Sequence, residues 1–130
     1  MLSPEYRSHF TTLSKIALGV FWLALFVGTH IPVDTEILPP DGRDKLAHFG
    51  AYLTLALLVA TTWQLAVGFL TLRHLIFAWI AVAVYGAVDE ITQIPVGRVC
   101  DIYDWTADAC GAAAGIVVFA LARRLLRIAQ

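Results

Sequence analysis

Four apolar runs, at approximately 13–31, 46–63, 75–94 and 105–122, occupy most of the chain, with short polar breaks between them. Each is close to the roughly 20 residues an α-helix needs to cross about 30 Å of hydrocarbon. None alternates apolar and polar residues with a period of two, which disfavours membrane β-strands. Helices are the open-chain solution that satisfies every backbone hydrogen bond inside lipid. Pro32, Pro39, Pro40 and Gly42 break the first run from the second, and Pro95 with Gly97 breaks the third from the fourth. A tighter link around Gly68–His74 joins the middle two. The pattern predicts an all-α, integral membrane four-helix bundle, forming a single domain over residues 1–130.

Composition supports that class. The chain is 59% hydrophobic and 15% charged, against about 45–50% and about 25% for soluble domains. A formal net charge of −1 without a basic stripe excludes a nucleic-acid partner. Cys100 and Cys110 lack the spacing of a zinc or redox motif, and a disulfide between them would need one to leave its helix. The first run follows Arg7 and Lys15 but ends in Thr29-His30-Ile31-Pro32 rather than a small-residue cleavage site, so it reads as a retained helix. Arg7, Lys15, Arg73, Arg123, Arg124 and Arg127 fall on one side of the four spans, and only Arg43, Lys45 and Arg98 on the other. That bias predicts a multi-pass membrane protein with both termini cytoplasmic and both polar stretches outside.

Those stretches hold the candidate chemistry. The first runs from Asp41 to Tyr52; the second holds Asp89, Glu90 and Gln93, then Arg98, Asp101, Asp104 and Asp108. A charge within a span costs roughly 2.5–3.5 kcal/mol on insertion scales and usually faces a shared interior. On the second helix Asp44, His48 and Tyr52 fall on one face by i, i+4 spacing, with Lys45 beside them. Glu90 and Gln93 are i, i+3 neighbours on the third, and Asp104 and Asp108 are i, i+4 on the fourth. At about 1.5 Å rise per residue, these groups reach similar depths on three helices. Gly111 and Gly115 continue the fourth-helix stripe as a G-x-x-x-G that allows close backbone approach. The expected pocket therefore comprises Asp44, Lys45, His48, Tyr52, Glu90, Gln93, Arg98, Asp104 and Asp108, with Arg98 facing Glu90 or Asp104.

A plainer reading takes the same charges as a network that staples helix ends. A staple needs only two or three groups, so the full set favours a site. Asp34, Glu36 and Asp41 read as solvated loop charges and His9 and His74 as unspecific, while His30 either caps the first helix, the favoured reading, or looks into the site. Trp63 and Trp105 suit interface anchoring, Trp22 and Trp79 packing or lipid-facing bulk.

In Asp44-Lys45-x-x-His48-x-x-x-Tyr52, Glu90-x-x-Gln93, Gly97-Arg98 and Asp104-x-x-x-Asp108-x-x-Gly111-x-x-x-Gly115, the chain resembles the VanZ-like family of small bacterial membrane proteins. The resemblance covers the second to fourth helices and implies a place in the bacterial cytoplasmic (inner) membrane. It implies a link to low-level resistance to the glycopeptide teicoplanin and no settled activity. Asp108 departs from the Asn common at its place in the family, adding an acid.

Three functions follow as expectations. The first is a binding protein whose outward pocket holds an anionic phospholipid or a lipid-linked cell-wall precursor by its headgroup. The second is a metal-assisted hydrolase or transferase acting on a lipid-linked phosphate. There His48 or Glu90 is the general base, Lys45 and Arg98 hold phosphate, and Asp44, His48, Glu90 and Asp104 are candidate ligands of a divalent cation. The third is a small oligomeric transporter, disfavoured because such a carrier wants an acid near the bilayer midplane.

Overall fold

A computed structural model describes residues 4–31 and 43–128. Four long helices make up nearly all of this: α1 (Pro4–His30), α2 (Arg43–Val67), α3 (Leu72–Thr92) and α4 (Ile102–Ile128), with a 3-10 turn at Ile94–Val96. Each contains a span long and apolar enough to cross a membrane. The expected helix count holds, but α2 and α4 outrun their apolar runs at both ends, while α1 and α3 begin early and stop one and two residues short. α1 begins near residue 4 rather than 13, and α4 runs to 128 rather than 122. Polar end turns are helical too, and hydropathy alone does not register them. Asp34, Glu36 and Asp41 lie outside the described residues.

Burial is inverted relative to a water-soluble bundle. Phe77, Val84, Val88 and Val117 are among the exposed large side chains, whereas His48, Asp89, Glu90, Gln93, Asp104 and Asp108 are buried. Apolar residues need no partner in lipid, but each polar one must find its partners inside the protein.

The largest interface joins α2 and α4, and glycine makes it possible. A Cβ on Gly111 would run into the Phe49 carbonyl, and one on Gly115 into that of Leu53. The two backbones therefore touch just below the polar residues, as the G-x-x-x-G spacing predicts. Tyr52, Leu55, Ala56, Val82 and Ala112 form the core cluster above a second one built on Ala60, Leu70, Leu75 and Phe119.

α1 is peripheral: no residue of its apolar window is buried. At one end Thr11 and Arg7 donate to the Leu65 carbonyl at 3.2 and 3.3 Å, satisfying an acceptor near the C-terminus of α2. The link to α3 is also capped, since His74 Nδ1 accepts the Thr71 backbone N–H at 3.0 Å. His74 is thus a specific capping residue, contrary to expectation. The Trp105 indole N–H donates to the Ala83 carbonyl at 3.0 Å and ties α4 to α3.

Candidate functional site

All the buried polar residues among the described ones, except Thr62, gather at one end of the bundle, where α1 and α3 finish and α2 and α4 begin. The 3-10 turn carries the chain from α3 to α4. Gly97, at φ +83°, adopts the left-handed conformation that closes this turn. Asp101 then caps α4: its Oδ1 accepts the Tyr103 N–H at 2.9 Å while Glu90 Oε2 accepts its own N–H at 3.0 Å. The start of α4 is thereby bound to α3.

Two polar clusters result. The first lies between α2 and α4. His48 Nδ1 sits 2.9 Å from Asp108 Oδ1, both buried. Its Nε2 lies 3.9 Å from Asp44. Lys45 Nζ donates to Asp104 at 2.9 Å and to Asp101 at 3.2 Å. A carboxylate on Nδ1 fixes the ring and leaves Nε2 available to a proton, a ligand or an ion.

The second cluster ties α1 to α3 through Asp89, which is 1% exposed. It accepts from Thr29 (3.2 Å), Tyr85 (3.4 Å) and Gln93 (3.2 Å). His30 bridges to Thr92 at 3.1 Å and holds the Phe26 carbonyl at 2.8 Å, so it both caps α1 and reaches α3. Tyr52 lies fully buried, its ring stacked on Tyr85.

The expected residues are therefore divided. Asp44, Lys45, His48, Asp104 and Asp108 meet directly, and Glu90 joins them through Asp101. Gln93 turns instead to Asp89. Arg98 meets neither Glu90 nor Asp104; it donates to the Ile31 carbonyl at 3.5 Å, and Lys45 is the cation that holds Asp104. Asp89 and Asp101 were missing from the expected pocket. The signals were present: Tyr85, Asp89 and Gln93 follow i, i+4 spacing, and Asp101 precedes an apolar run as N-caps do.

Beside the first cluster a cleft of about 520 Å³ runs between α1 and α2. Phe21, Ala24, Leu25 and Ala51 are among its walls, and Thr29, Asp44, His48 and Arg98 contribute its polar groups. A second cleft, of about 410 Å³, opens between Glu90 and Trp105 on α3 and α4.

A family model described as VanZ/LLP1 matches residues 5–123. The chain belongs to the VanZ/LLP1 family. With its four apolar helices it is a multi-pass VanZ-family membrane protein. No curated protein matches it, and neither does any solved structure. The family match spans α1 as well as the three helices that carry the motifs, so the α1–α2 cleft lies within the matched region.

The Asp101 carboxyl is held below its ordinary value, chiefly by the Tyr103 N–H, which outweighs the opposing desolvation, with Lys45 lowering it further. A depressed carboxyl stabilises the fold above its unfolded value, and this contribution is lost as pH falls through the folded value. The Tyr103 amide resonance should therefore titrate with a midpoint below the usual aspartate range. A midpoint at or above that range would contradict the cap.

Proposed function

We propose that this VanZ-family protein binds a membrane amphiphile with an anionic headgroup, a phospholipid or a lipid-linked cell-envelope precursor, in the α1–α2 cleft. The observation that carries the reading is the cleft's division into apolar walls and a polar end. An acyl or polyprenyl chain would lie against Phe21, Ala24, Leu25 and Ala51. Its phosphate would reach Arg98, whose guanidinium suits phosphate oxygens, and His48. Both termini face the cytoplasm in this reading, so the headgroup is taken from the outer leaflet of the inner membrane. Occupancy there would alter the envelope's response to glycopeptides. Transport has less support, because the buried acids gather at one end rather than at mid-span.

Native mass spectrometry of the protein extracted from mixed phosphatidylglycerol–phosphatidylcholine bilayers tests this. Phosphatidylglycerol should be retained preferentially, and Arg98→Gln should weaken retention about tenfold, the effect of one charge-assisted hydrogen bond. Equal retention of both lipids, or an unchanged Arg98→Gln variant, would count against the reading.

A further inference from the structure

We infer that His48, Glu90 and Asp108 hold a divalent transition-metal ion of the zinc or manganese class where α2, α3 and α4 meet. One donor atom from each of these buried residues lies within 4.8 Å of the other two. One side of that triangle is the 2.9 Å contact between His48 Nδ1 and Asp108 Oδ1, so ligand bonds of about 2.0–2.2 Å would replace this hydrogen bond and draw Glu90 inward. Imidazole with two carboxylates suits such ions, and three protein ligands leave room for a water or a substrate oxygen.

Charge balance points the same way. Among the described residues neither Glu90 nor Asp108 pairs with a lysine or arginine. Buried acids at membrane depth need a counter-charge, and a bound cation supplies one.

An unsatisfied atom gives a further indication. Asp108 Oδ2 is buried without a hydrogen-bond partner. It faces Gly86, where a Cβ would lie 3.2 Å from this oxygen and 3.1 Å from the Tyr52 ring. Glycine there leaves the second carboxylate oxygen free to turn.

A rival triad, Asp44, His48 and Asp104, has the same spacing. There the Lys45 ammonium already holds Asp104 at 2.9 Å, and the Asp44 side chain is 53% exposed. The buried triad is the better site. It does not depend on lipid binding.

The test uses full-length protein in detergent, stripped with chelator and titrated with Zn²⁺ alone or Mn²⁺ alone. Calorimetry and elemental analysis should give one ion per chain. His48→Ala, Glu90→Gln and Asp108→Asn should each weaken binding at least about tenfold, since even outer-shell changes cost that much. Asp104→Asn should keep it, and circular dichroism confirms that each variant is folded. Failure of the folded wild type to bind either ion stoichiometrically would overturn the inference. So would binding that survives Asp108→Asn but is lost with Asp104→Asn.

Discussion

Replacing Gly111 by Ala is expected to destabilise the bundle by about 1–3 kcal/mol, the usual cost of forcing an extra carbon into a packed interface. The added methyl would meet the Phe49 carbonyl, and backbone cannot swing aside as a long side chain does. Separating α2 from α4 would also part Lys45 from Asp104 and His48 from Asp108. Gly50→Ala is the matched control, because nothing lies within 4 Å of a Cβ there. It should be neutral or stabilising by up to about 1 kcal/mol, since alanine suits a helix better than glycine. Unfolding in detergent with graded denaturant compares the two. Equal effects would mean that the α2–α4 approach is not close.

The second large effect is expected at the His48–Asp108 pair. His48→Ala leaves the buried Asp108 carboxylate without a partner on either oxygen. Breaking one side of a buried pair costs roughly 3–5 kcal/mol when the remaining group stays charged. Removing both, as His48→Ala with Asp108→Ala, should cost less than the two single losses combined. The coupling should fall at about 0.5–3 kcal/mol, as for residues in direct contact. Unfolding midpoints of the four proteins close the cycle. Losses that add would show that the two residues do not interact in solution.

Helix number and the polar end were legible because both follow from one-dimensional rules. Four apolar runs near spanning length require four helices, and i, i+4 spacing puts Asp44 with His48 and Asp104 with Asp108. Pairing between helices was not legible. Arg98 and Lys45 have the same charge and flank the same acids in sequence. Only the path of the 3-10 turn sends Arg98 towards Ile31 and leaves Asp104 to Lys45. Spacing does not separate Asp89 from Glu90, since Gln93 stands i+4 from one and i+3 from the other. Rotation of α3 about its axis decides which acid receives the Gln93 amide, and apolar residues on nearly every face of α3 leave that rotation undefined. The α1–α2 cleft depends on how far the peripheral helix stands off, which no spacing encodes.

The most direct test of the lipid reading is site-specific photo-crosslinking in native membranes. A photoreactive residue at Ala51, on the cleft wall, is compared with one at Val84, which is 58% exposed on α3. At Ala51 the captured lipid should be enriched in anionic headgroups over the bulk membrane, and Arg98→Gln should abolish the enrichment. At Val84 the capture should follow bulk composition. Bulk composition at both positions would contradict the account.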